Sequence, residues 1–176
     1  MAEMKRIGFG QVEPNHLSAQ RNGKIYAQLP ADATLGTLEN GRFVKYDYAK
    51  GKIDLVGEGE WMLVFNEVKL YDDMWRESYK DFALESKNYV GGELYPRVFK
   101  TDIGDIYTTN CLKAVGTKGV ELVMEDLAVE DKLVVNAQGF LEKSAETPAA
   151  GAMVWQVVKR YTLPDGQEAV KVQRIA

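Results

Sequence analysis

Apolar and polar positions alternate with a period of two through much of this chain, and that pattern predicts strands. In residues 42–48, Phe43 and Lys45 fall on one face and Val44, Tyr46 and Tyr48 on the other. Asn40-Gly41, just before them, is a tight-turn signal, and residues 24–29 and 53–56 read as short strands. After the polar break at 57–60, Trp61-Met62-Leu63-Val64-Phe65 is apolar at every position. Such a run belongs to a central strand covered on both faces or to one packed at an interface. Residues 106–112, 120–124 and 132–136 are rich in β-formers, with Gln138-Gly139 turning the last of them into Phe140-Leu141. A closing hairpin is the clearest expectation: residues 153–163 run into Pro164-Asp165-Gly166-Gln167, and residues 169–175 alternate back.

Two segments depart from this pattern. Trp75, Tyr79, Phe82 and Ser86 are spaced 4, 3 and 4 apart, which predicts a short aromatic-rich helix over residues 72–88, capped by Asp72 or Asp73 and ended by Gly91-Gly92. Residues 1–24 carry Gly, Asn and Gln with scattered apolar positions and no sustained period, and read as an extended N-terminal arm. The expected architecture is mainly β: an antiparallel β-barrel or sandwich body over residues 25–176, the arm, and the one helix. Within the body, two β layers (25–71 and 96–176) are joined by a helical insertion at 72–95. A β pair before Trp61 and another before Trp155 echo each other without aligning letter by letter.

Composition narrows the function. A chain of 176 residues makes about one domain and buries roughly 70% of its unfolded surface, so it has a sufficient core. The net charge of −4, with no basic block, disfavours nucleic acid as a partner. A lone Cys111 excludes an intrachain disulfide and suits a reducing compartment; with His16 the only histidine, a Cys/His zinc cage from one chain is excluded. No stretch approaches the roughly 20 apolar residues of a membrane span, and the first residues lack the apolar core of a secretory leader.

The candidate chemistry is sparse. Asp72-Asp73, Glu58 with Glu60, Glu125-Asp126 and Glu130-Asp131 each fall where a turn or helix start favours a carboxylate. Gly8-Phe9-Gly10 opens like a phosphate-binding loop, but Glu13 stands where the third glycine belongs. Arg42, Phe43, Tyr46 and Tyr48 could stack single-stranded nucleic acid; the interleaved Asp47 favours sheet packing instead. Cys111 reads as a small buried side chain, and His16 as a surface or interface histidine. No catalytic residue, cofactor site or metal-ligand set is assigned, and the chain reads as a non-enzyme. Trp61 and Trp155 are expected in the core. Phe9, His16, Trp75, Tyr79, Tyr89 and Tyr95 are the interface candidates.

The Gly/Asn/Gln-rich arm, the segment Leu38-Glu39-Asn40-Gly41-Arg42-Phe43-Val44, the segment from Asp131 through Asn136 and Gly139 to Leu141, and the closing hairpin together resemble capsid decoration proteins of tailed bacteriophages. That resemblance covers about half the chain and leaves out the aromatic segment and residues 93–112. It implies a small β-barrel that sits on the outside of the capsid shell, with an arm that staples neighbouring subunits. The implied partners are the major capsid protein and further copies of this chain, and the implied location is the virion surface after synthesis in the host cytoplasm. A tail or neck structural protein of such a phage, or a β-barrel ligand-binding module or enzyme, is the alternative reading.

Overall fold

The computed structural model describes residues 4–5, 8–17, 25–66, 82–112, 121–122, 127–144 and 146–176. In chain order the strands are β1 (Met4–Lys5), β2 (Val12–His16), β3 (Ile25–Gln28), β4 (Thr37–Glu39) and β5 (Phe43–Asp47). Next come β6 (Lys52–Asp54), β7 (Met62–Val64), β8 (Ala83–Glu85), β9 (Arg97–Phe99) and β10 (Ile106–Thr109). The last five are β11 (Glu121–Leu122), β12 (Lys132–Val135), β13 (Leu141–Lys143), β14 (Val154–Thr162) and β15 (Glu168–Arg174). Helix among the described residues is confined to two single 3₁₀ turns, Ser86–Asn88 and Val90–Gly92.

Two antiparallel sheets form the body, one of six strands in the order β13-β12-β14-β15-β10-β2 and one of five in the order β3-β9-β7-β5-β6. Neither closes into a barrel, so the architecture is a sandwich with sheet edges at β13, β2, β3 and β6. The five-stranded sheet is covered on both faces, and its pleat assigns the residues. Phe43, Leu63 and Phe99 lie directly opposite one another across β5, β7 and β9, and enter a core with Tyr107, Leu133, Trp155, Val157 and Val172 of the six-stranded sheet. Their neighbours Val44, Met62, Val64 and Val98 point the other way, into a second core with Leu35, Leu38, Ile53, Leu84 and Leu94. This explains the uniformly apolar run at 61–65: β7 is the middle strand, and neither face meets water. Trp155 is the largest residue of the first core, with Tyr107 edge-on at 5.0 Å and Phe43 at 5.9 Å between ring centroids. Truncating such a ring costs about 3–5 kcal/mol.

The closing hairpin pairs Thr162 with Glu168 around a turn in which Gly166 takes φ 82°. A bulge at Val158 separates the Val157–Val172 pair from Lys159–Lys171. Asn40-Gly41 does turn the chain, but not into a hairpin: β4 pairs with β8 in the small layer, whereas β5 pairs with β6 and β7. The turn therefore carries the chain from one layer to the next.

The helix expected over 72–88 is corrected over its last residues, while Trp75, Tyr79 and the rest of 67–81 lie outside the described residues. From Phe82 the chain is extended: Ala83–Glu85 pairs with Thr37–Glu39, then one 3₁₀ turn follows. The spacing of Phe82 and Leu84, both directed at the second core, is a period of two that the longer helical pattern masked. In the arm, Val12–His16 is hydrogen-bonded to β10 as the edge strand of the six-stranded sheet, with Val12 buried. A short polar strand containing Pro14 suits an edge, where a missing N–H goes unnoticed. The sheets thus borrow across the expected layers, β2 joining the strands that follow residue 106 and β9 joining those before 66.

Candidate functional site

Of the residues singled out for contact with a partner, Tyr89 and Tyr95 are on the surface, 43% and 50% exposed, and flank Val90, which is fully exposed. The loop that carries them turns at Gly91 and Gly92, with φ 80° and 70° that side chains resist. The Tyr95 hydroxyl donates to a Glu93 carboxylate oxygen at 2.7 Å, and that bond raises its pKa. His16 is exposed at the end of edge strand β2, opposite Ile106, while Phe9 is half-buried. Of these residues only His16 lies in a strand, while Phe9, Tyr89 and Tyr95 are in loops. Of the carboxylate pairs, Glu130-Asp131 is a turn: Glu130 has φ 76°, and Asp131 accepts from the Ala128 N–H at 2.7 Å and pairs with Lys143 at 2.8 Å. Those bonds, Lys143 foremost, hold the Asp131 pKa below its usual value. Glu60 pairs with Lys100 at 3.1 Å. Among the described residues no group of three or more His, Cys, Asp and Glu is placed to hold a metal ion.

Four turn segments that looked unrelated in the sequence meet at one end of the sandwich. Gln11 is 2% exposed, yet its N–H donates to Asn110 Oδ1 at 2.8 Å, its carbonyl accepts from Thr109 Oγ1 at 2.7 Å and its Nε2 donates to Asp165 Oδ2 at 2.7 Å. Gln167 Nε2 donates to the same Asp165 oxygen, and Asn110 Nδ2 donates to Gln167 Oε1. Beside them the Gly10 N–H donates to the buried Glu39 carboxylate at 2.8 Å. Cys111 is buried here with its N–H on Thr109 Oγ1, as expected of a small packed side chain. Gly10 and Gly41 are required by contact: a Cβ on Gly10 would lie 2.4 Å from the Asn40 carbonyl oxygen, and one on Gly41 2.6 Å from Cys111 Cβ. Gly8-Phe9-Gly10 is therefore a packing element of this knot. The feature that could have flagged it is an amide residue beside glycine, at Gly10-Gln11, Asn40-Gly41 and Gly166-Gln167.

Arg42 extends the knot to the second sheet. Its Nε donates to the Gln138 carbonyl and a terminal nitrogen to the Thr37 carbonyl, with the guanidinium over the Phe140 ring at 5.2 Å. Burial lowers its pKa, against the opposing pull of Cys111 and Glu39. The Phe43 N–H donates to the Gly139 carbonyl at 2.7 Å, and Gly139 leaves no room for a side chain, since a Cβ would meet the Phe43 carbonyl oxygen at 2.1 Å. The turn before β5 and the turn between β12 and β13 are thereby locked together, and they carry the two short motifs Leu38–Val44 and Asp131–Leu141.

At the opposite end of the same strands the two sheets part around a cleft of about 610 Å³. Trp61, Val135 and Met153 line it, with Lys45, Glu60 and Arg174 among its charged residues. Trp61 is only half-buried, so of the two tryptophans expected in the core, Trp155 alone is enclosed. The Lys45 ammonium lies 4.7 Å from the centroid of the Trp61 ring.

No family model, curated protein or solved structure matches this chain.

Proposed function

We propose that this chain is a non-enzymatic structural protein of a tailed-bacteriophage virion, one that binds the outside of the capsid shell and cements neighbouring subunits. The observation that carries this reading is the docking of the two motifs on which the resemblance rests. Arg42 reaches Gln138 and Phe140, and Phe43 is bonded to Gly139. They act as one rigid joint between sheets, the kind of stiff β body a cement protein needs if contact with a shell is to add strength. The exposed Tyr89, Val90 and Tyr95 supply aromatic and apolar contact area on that body. The N-terminal 24 residues and the segment bearing Trp75 and Tyr79 add contacts to neighbouring capsid subunits and to other copies of this chain, giving avidity.

Deleting the whole arm would remove Gln11 and edge strand β2 along with any contact, so it tests folding as much as binding. The cleaner test is a Tyr89→Ser/Tyr95→Ser double variant of the full chain, co-sedimented with purified capsid shells of its phage. Wild type is expected to pellet with the shells, and the variant to bind at least about tenfold more weakly with an unchanged thermal melt, because aromatic anchors carry most of an interface's energy. Wild type that stays in the supernatant overturns the virion reading. Equal binding by the variant overturns the Tyr89/Tyr95 contact.

A further inference from the structure

We infer that the cleft between the ends of the two sheets is a binding site for an organic anion with an apolar body, a carboxylate on a ring or branched chain. A volume of about 610 Å³ falls within the roughly 300–1,000 Å³ of ordinary small-molecule sites. Its walls fit the apolar part: Trp61 offers an aromatic surface, and Val135 and Met153 pack into the core behind it.

The charges fit the anion. Glu60 is already neutralised by Lys100, and Arg174 faces the main-chain carboxylate of Ala176, which also lines the cleft; Lys45 is left as its unpaired charge, in a protein whose net charge is −4. Lys45 has no carboxylate in ion-pair range among the described residues. Its cross-strand neighbour Asp54 is committed elsewhere, accepting from the Val56 and Gly57 N–H groups and facing Lys50 at 3.4 Å. The Trp61 ring fixes the Lys45 ammonium in position without cancelling its charge. Arg174 is held just as firmly, donating to the Thr101 carbonyl and hydroxyl oxygens and to the Ala176 carbonyl. With the Lys45 ammonium fixed against an aromatic wall, an anion is bound without the cation first having to be ordered. This inference stands apart from the surface-binding role and uses none of its residues.

The test uses naphthalene-2-carboxylate and its neutral carboxamide as probes, titrated into the full chain and followed through the indole N–H resonance of Trp61, assigned with Trp61→Phe. The carboxylate is expected to saturate below about 10 mM, the range of even weak sites. It should bind about tenfold tighter than the carboxamide, the worth of one charge-assisted contact. Lys45→Met, which keeps the aliphatic stem on Trp61, should bring the carboxylate down to the carboxamide's affinity. Lys87→Met removes the same charge from an exposed site outside the cleft and should change nothing. Failure to saturate, equal affinity for the two probes, or full affinity in Lys45→Met would each overturn the site.

Discussion

At one end of β5, β10 and β15, Asn110 bonds Gln167 and Arg42 bonds the Thr37 and Gln138 carbonyls of neighbouring turns; at the other end of the same strands, Lys45 and Arg174 border an open cleft. Both ends are built by chain reversals with glycine. They differ in what the turns meet. At the knot four turns converge, so the buried amides of Gln11, Asn110 and Gln167 find partners and two glycines are pressed against neighbouring atoms. At the cleft the turn at 149–152 lines open space, and a Cβ on Gly151 would touch nothing within 4 Å. The saturated end is therefore the one expected to resist local opening, and the cleft the one with open space.

The sharpest way to break that contrast is a matched pair of glycine substitutions. Gly41 and Gly151 have similar positive φ, 93° and 80°, so the backbone penalty of alanine is shared and the difference reports contact alone. Gly151→Ala should cost about 1 kcal/mol, and Gly41→Ala about 3 kcal/mol or more, measured by urea unfolding. Equal costs would show that the knot is looser than its distances imply. Next in size, Gln11→Ala should cost about 2 kcal/mol, since it removes a buried bond and leaves a void. It should also speed proteolysis within residues 12–16; a loss below about 0.5 kcal/mol would mean that the edge strand is held by its sheet alone.

The smallest effect is expected between the two ends, where the Tyr107 hydroxyl is buried with no hydrogen-bond partner. Tyr107→Phe should leave stability within about 1 kcal/mol of wild type at pH 7, on the stabilising side, because no bond is lost. Burial raises the Tyr107 pKa well above 10.0, so the folded state keeps the proton where the unfolded chain sheds it. Its contribution is therefore intact below about pH 10 and erodes as pH climbs from there toward the folded value. Unfolding measured from pH 8 upward should fall less steeply for Tyr107→Phe; parallel curves would place the alkaline loss on other tyrosines.

Much of the strand inventory was legible because burial on alternate faces leaves a local imprint: the run at 61–65 announced a strand covered twice, and the closing hairpin announced its own turn. Leu84 was passed over because its two-residue period with Phe82 lay inside a stronger helical spacing. Val12–His16 shows no sustained period in the sequence because an edge strand needs only one inward apolar residue, here Val12. Neither the knot nor the cleft was legible, since each joins residues from parts of the chain far apart, as in the bond from Gln11 to Asp165.

By itself, then, the sequence determined a β protein with one buried cysteine, glycine turns and a terminal hairpin, since local alternation and turn chemistry act over a few residues. Only the tertiary structure decided that Asn40-Gly41 changes layers instead of closing a hairpin, that Gly10 is a packing glycine, and that Lys45 keeps a free charge against Trp61. Each of these depends on which distant segment arrives opposite, and no local pattern encodes that.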